Sequence, residues 1–199
     1  MPDNDHLSAT LTPVVALLES MDVLYYVGGS VAAMVHGERR ETADVDIVAD
    51  FQRQHVERFV QELSERYYVD ASMIIDAIEN NSSFNIINLE SMFKVDVFPL
   101  KNRSYDKEAA LRRLRQVIEG DPSIEAYVAS PEDIVLAKLE WYRETGETSD
   151  RQWRDILGVL KMQIFTLDLA YITNWAREIK VDDLLARALE DAGYEGKSA

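Results

Sequence analysis

Cysteine is absent from the 199 residues. That excludes disulfides, a thiol nucleophile and any zinc or iron–sulfur site built on thiolates. A chain without disulfides suits a reducing compartment, so a cytoplasmic location is the expectation. Histidine is scarce: His6, His36 and His55 are scattered along the chain, which does not suggest a histidine-rich metal site. No apolar run approaches the roughly 18 residues of a membrane span, and no membrane partner is expected. The start, Met1-Pro2-Asp3-Asn4-Asp5, is acidic and polar, and no signal peptide is expected there.

Positive charge is the other shortage. Asp and Glu number 36 against 21 Lys and Arg, a net charge of −15. Residues 1–120 hold 20 acidic and 12 basic side chains, and residues 121–199 hold 16 and 9, so the excess is spread and there is no acidic tail. A broad polyanion-binding surface carries net positive charge. Extended nonspecific DNA binding is therefore not expected. Net charge does not fix local distribution, so a small basic patch for RNA stays open. Arg112, Arg113 and Arg115 form the densest basic run, with a solvated helix face as the plainer reading.

Hydrophobic residues make up 47 % of the chain, and a chain this long buries a core without staples. The first part alternates helices and strands. Residues 8–21 have a helical period through Leu11, Val14, Val15, Leu17 and Leu18, with Pro13 expected in the first turns. Val23–Val27 reads as a strand, Val31–His36 as a short helix and Gly37–Thr42 as a polar loop. Asp44–Ala49 alternates as a strand does, Val45 and Ile47 on one side, Asp44 and Asp46 on the other. Gln52–Tyr67 is predicted as a helix and Asp70–Glu79 as a short one. Phe84–Leu89 and Phe93–Phe98 form a predicted hairpin. Tyr105–Leu114 follows as a helix. Strands at Gln116–Glu119 and Ala126–Ala129 flank a turn at Gly120-Asp121-Pro122.

The last part is helical. Ser130-Pro131-Glu132-Asp133 combines an N-cap, a proline at the first position and an acid three residues after the cap. That helix runs to about Thr145, and further helices are predicted at Asp150–Met162, Asp168–Lys180 and Asp182–Ala192. The expected fold class is α/β: a small mixed sheet flanked by helices over residues 1–125, followed by a helical subdomain over residues 126–199. The site is expected in a cleft between them.

Three short segments carry chemistry. Gly28-Gly29-Ser30 follows a strand and opens a helix. Glycine allows a sharp turn and close approach to a ligand, and free N–H groups at a helix start favour a phosphate. The plainer reading is an ordinary strand–helix turn. Asp44 and Asp46 lie two apart on one strand, hence on one face, where two carboxylates repel unless a cation lies between them. Oxygen donors of this kind suit Mg²⁺; the alternative is two solvated acids on an edge strand. Asp96, in Phe93-Lys94-Val95-Asp96-Val97-Phe98, joins them if its strand lies beside Asp44–Ala49. Three carboxylates would then hold two cations about 4 Å apart; otherwise Asp96 pairs with Lys94 or Arg103.

The order Gly28-Gly29-Ser30, Asp44-Val45-Asp46, Asp96 resembles the DNA polymerase beta-like nucleotidyltransferase superfamily. Thirteen residues separate Ser30 from Asp44, and Arg40-Glu41-Thr42-Ala43-Asp44 is similar to its small bacterial members. These include abortive-infection-type toxin, minimal and aminoglycoside nucleotidyltransferases. Ser130–Leu139 and Arg151–Ile156 resemble the helical half of the toxin type, so the likeness covers about residues 23–48, 93–98 and 130–160.

The resemblance implies transfer of a nucleoside monophosphate from an NTP to a hydroxyl, with release of pyrophosphate. Gly28, Gly29 and Ser30 would hold the triphosphate, with Arg40 and Thr42 in the loop before the acid pair. Asp44, Asp46 and Asp96 would be catalytic and would bind two Mg²⁺ or Mn²⁺ ions. Lys138 would reach a phosphate; alternatively it snorkels or pairs with Asp155. Arg40 is equally read as an exposed partner of Glu38 or Glu41. The acceptor is a small molecule, a tRNA end or a protein, and a toxin of this type would have an antitoxin partner. The alternative is a noncatalytic nucleotide-binding or partner-binding module of the same fold.

Overall fold

The computed structural model describes residues 4–38, 42, 44–118 and 123–194. Its organising element is the strand Asp44–Ala49, whose side chains alternate between half-buried and fully buried. Val45, Ile47 and Ala49 are completely buried, and each large apolar side chain removed from water in this way contributes roughly 1.5–3 kcal/mol. The outer positions are left to Asp44, Asp46 and Val48.

Seven strands are described: β1 (Tyr25–Val27), β2 (Asp44–Ala49), β3 (Tyr67–Tyr68), β4 (Phe84–Asn88), β5 (Lys94–Pro99), β6 (Leu114–Ile118) and β7 (Ile124–Val128). They form one sheet in the order β3-β4-β5-β2-β1-β7-β6. β2 runs parallel to β5 and β1 parallel to β7, while the other pairs are antiparallel. The sheet is mixed, as the α/β reading expects. The helices α1 (Asn4–Ser20), α3 (Val56–Leu63) and α4 (Ala71–Asn80) pack side by side. Phe59 of α3 meets Phe84 of β4 edge-on. Phe84 stands opposite Val97, so α3 covers the same face as Val97. The acids of β2 and β5 belong to the other face.

The remaining helices are α2 (Gly29–His36), α5 (Ser104–Leu111), α6 (Pro131–Glu144), α7 (Asp150–Met162), α8 (Leu169–Glu178) and α9 (Asp182–Asp191). The chain divides into two compact units. One comprises Met1–Val31 with Glu41–Val128, the other Ala32–Arg40 with Ala129–Ala199. The first holds the sheet. In the second, α6 contacts α7, α8 and α9. Its start is the cap expected from sequence: Asp133 N–H donates to Ser130 Oγ at 3.1 Å, with Pro131 in the first turn. The acids of that turn are buried but bonded. Glu132 accepts the N–H of Asp168, and Asp133 accepts the hydroxyl of Tyr171. No helix among the described residues is long and apolar enough to cross a membrane.

Two expectations need correction. α1 starts at Asn4, so Pro13 lies inside it. Burial of Leu7, Leu11, Val14, Val15 and Leu18 outweighs the roughly 3 kcal/mol that an interior proline costs. The helix predicted over Gln52–Tyr67 ends at Leu63, and Tyr67 enters β3 instead. There its ring is buried and its hydroxyl donates to the Thr10 carbonyl at 2.7 Å, contacts that a helical Tyr67 would forgo. The turn predicted at Gly120-Asp121-Pro122 lies outside the described residues.

Candidate functional site

β1 ends at Val27, and the pairing with β2 continues one step further, where Gly28 N–H donates to the Asp46 carbonyl at 2.8 Å. Gly29 then takes a φ of +53°, a left-handed conformation that costs other residues about 1–2 kcal/mol. A Cβ on Gly29 would lie 1.7 Å from Asp46 Oδ2. Glycine is thus the residue that allows the backbone to pass this carboxylate. Ser30 follows in the first turn of α2 and is half-buried.

On β2, Asp44 and Asp46 are both half-buried on one face. Thr42 Oγ1 donates to the Asp44 carbonyl at 3.1 Å and lies 3.2 Å from Asp44 Oδ1, which fixes the end of the loop against the first acid. In the parallel ladder with β5, Asp46 stands opposite Asp96 and Asp44 opposite Lys94. Neighbouring strands lie about 4.8 Å apart, so the three acids expected from sequence share one small patch of sheet. Asn85 on β4 stands opposite Asp96, extending the polar row. It was not foreseen; its only sequence signal is a polar residue between Phe84 and Ile86.

Lys94 changes the chemistry of this patch. Its Nζ lies 2.7 Å from Asp96 Oδ2, with side chains 40 % and 17 % exposed. The hydrogen bond to Asp96 raises the Lys94 pKa above its ordinary value. Partial burial opposes this, and the charges of Asp96, Asp44 and Asp46 reinforce it. The ammonium is thus a resident cation facing all three acids. Among the described residues, no group of three or more His, Asp or Glu is arranged to hold a metal ion. The ion pair offered as the alternative for Asp96 is present. Oxygen donors at Asp46 and Asp96 still suit a single Mg²⁺, which is commonly held by one or two carboxylates and completed by substrate phosphates.

Arg40 and Lys138 complete the expected set. Arg40 falls outside the described residues. Lys138, expected to reach a phosphate, sits on α6 in the helical unit with its Nζ 2.8 Å from Asp155 Oδ2 and 2.9 Å from Gln152 Oε1, both on α7. The pair is almost fully buried, at 5 % and 9 % exposed. His36 is also buried, and its Nε2–H donates to the Ala129 carbonyl at 2.8 Å. That is a structural role, not that of a base. The arginine run splits: Arg113 and Arg115 lie over the Tyr127 ring, and Arg115 pairs with Glu19.

No protein-family model matches the sequence, and no curated protein matches it. Solved structures do. An antigenic nucleotidyltransferase-like protein from Paracoccidioides brasiliensis is similar with a TM-score of 0.53 at 16 % identity, over 94 % of this chain and 93 % of that one. The chain has a nucleotidyltransferase fold. ANT(2'')-Ia in complex with adenylyl-2''-tobramycin shares that fold with a TM-score of 0.53 at 11 % identity, over 87 % of this chain and 97 % of that one. The solution structure of the antibiotic-resistance factor ANT(2'')-Ia gives 0.51 at 14 % identity, over 96 % of each chain.

Proposed function

We propose that the chain transfers a nucleoside monophosphate from an NTP to a hydroxyl group. The observation that carries this reading is the approach of Gly29 to Asp46, with Asp96 in register on the neighbouring strand. A phosphate-binding turn and a carboxylate pair are the two parts such a transfer requires. In the reaction the acceptor oxygen bonds to the α-phosphorus, the bond from that phosphorus to the α–β bridging oxygen breaks, and pyrophosphate leaves. The N–H groups that open α2, with Ser30, receive phosphate oxygens. Thr42 holds Asp44 at the edge of the site. Asp96 takes the proton from the attacking hydroxyl. Divalent cations held by Asp44, Asp46 and Asp96 would neutralise charge that develops on the phosphate oxygens.

The acceptor follows from charge. At −15 the chain is poorly suited to a polyanion such as tRNA. A small cationic hydroxyl compound is favoured; the similar ANT(2'')-Ia structure is a complex with adenylyl-2''-tobramycin. A protein hydroxyl or a tRNA end, as for a toxin held by an antitoxin, is the less favoured assignment. The Lys94–Asp96 ion pair supports one competing reading, a module that binds nucleotide without turnover.

The test is transfer of label from each α-phosphate-labelled NTP into a fractionated cell extract, with Mg²⁺ or Mn²⁺, using Asp46→Asn as control. Label in one fraction, lost in the control, supports the enzyme and names the acceptor class. Nucleotide binding with no label in any fraction favours the module.

A further inference from the structure

The site lies in one row across the sheet. Gly28 N–H donates to the Asp46 carbonyl, Asp46 stands opposite Asp96, and Asp96 stands opposite Asn85. The row crosses β1, β2, β5 and β4 in turn, with one strand spacing of about 4.8 Å at each step. The glycine turn closes one end of it, and Asn85 the other. Asn85 is half-buried, and its neighbours Phe84 and Ile86 are buried on the opposite face. Its carboxamide makes no hydrogen bond among the described residues. β3 pairs with β4 at Ile87 and Asn88, so no described strand stands beyond Asn85. A carboxamide offers both an acceptor oxygen and N–H donors, which suits a hydroxyl group. Lys94, which also meets Asp96, stands opposite Asp44 and off this row.

We propose that Asn85 binds the acceptor and holds its hydroxyl against Asp96. The inference rests on the nucleotidyltransferase reading of the same row. In such a transfer the attacking and leaving oxygens lie roughly in line through the α-phosphorus. With the β- and γ-phosphates at the glycine turn and the start of α2, pyrophosphate leaves over β1. The attacking oxygen then enters from the other end of the row, over β5 and β4. There the Asn85 carboxamide takes the acceptor hydroxyl while Asp96 takes its proton. The bond from that oxygen to the α-phosphorus forms as the bond to the α–β bridging oxygen breaks. Asn85 thus touches the acceptor and not the nucleotide, so its loss lowers transfer and spares NTP binding.

The experiment has two parts, both on the full chain. The sequence has no cysteine, so a thiol introduced at either end of the row is the one thiol present. Asn85→Cys and Ser30→Cys are treated with a bulky methanethiosulfonate reagent, with and without Mg²⁺ and a saturating non-hydrolysable analogue of each NTP. The analogue is expected to block modification of Ser30→Cys and to leave that of Asn85→Cys unchanged. Asn85→Ala is then compared with wild type for transfer of α label into the cell extract and for affinity for the analogue. Transfer is expected to fall roughly 100-fold, as when a reactant is misplaced, with unchanged affinity. Protection of Asn85→Cys by the analogue overturns the inference, because the nucleotide then covers Asn85. Wild-type transfer by Asn85→Ala, or a loss of its affinity for the analogue, also overturns it. These three outcomes leave the nucleotidyltransferase reading standing. Ser30→Cys unprotected by every analogue, or a wild-type chain that transfers no label, overturns both.

Discussion

Gly29 is where the account is most exposed at the scale of single residues. A methyl group there would overlap Asp46 Oδ2, and the backbone conformation is one that side chains disfavour. Gly29→Ala is expected to lower stability by about 1–2 kcal/mol from backbone strain alone, and to abolish nucleotidyl transfer by pushing Asp46 out of line. Gly28→Ala supplies the control for stability. Its added carbon meets nothing within 4 Å, so urea denaturation should show no loss. If Gly29→Ala keeps both wild-type stability and wild-type transfer, the close approach of turn and carboxylate is not what the site depends on. The identity of these residues was legible in the sequence because glycine pairs and alternating acids are local signals. The pairing of Lys94 with Asp96 was legible only as one alternative among others. Distinguishing them needs the strand register, which no local pattern contains.

The same limit operates between elements. β2 was readable to the residue, because Val45 and Ile47 alternate with Asp44 and Asp46 and the pleat forces them apart. α6 was readable from its cap. The end of α3 was not, because Tyr67 leaves the helix for a contact with Thr10, far away in sequence. The parallel pairing of β2 with β5 is also a long-range fact; it brings Asp46 opposite Asp96, and the sequence offered it only as a condition. Between α6 and α7, the Lys138–Asp155 pair yields a prediction about stability. Removing one partner of a buried ion pair leaves an uncompensated charge and costs about 3–5 kcal/mol. Lys138→Met should therefore unfold at distinctly lower urea concentration, and the double change Lys138→Met with Asp155→Leu should recover most of the loss. A cost below about 1 kcal/mol for the single change would show that the pair is not what holds Lys138, and would return it to the candidates for phosphate binding.

At the scale of the whole molecule, stability should depend on pH through His36. Burial lowers its pKa, with the Ala129 carbonyl and the charge of Glu132 opposing. The unfolded chain takes up its proton near the ordinary histidine value of about 6.5, and the folded chain only at lower pH. The contribution to stability is thus complete above about pH 6.5 and is lost as pH falls through the window below it. Urea denaturation at pH 7.5 and 5.5 should show this decline, and His36→Gln should reduce it; an unchanged slope in the variant would assign the decline to other groups. Net charge, also a whole-chain property, was fully legible, and it bears on the choice of acceptor. The bond that is broken in the NTP is a question that neither charge nor fold decides. Parallel reactions with α-phosphate-labelled and γ-phosphate-labelled NTP decide it directly. The modified acceptor is expected to carry the α label, and the γ label to appear only in pyrophosphate. An acceptor that carries the γ label would mean phosphoryl transfer and would contradict the assignment of this site.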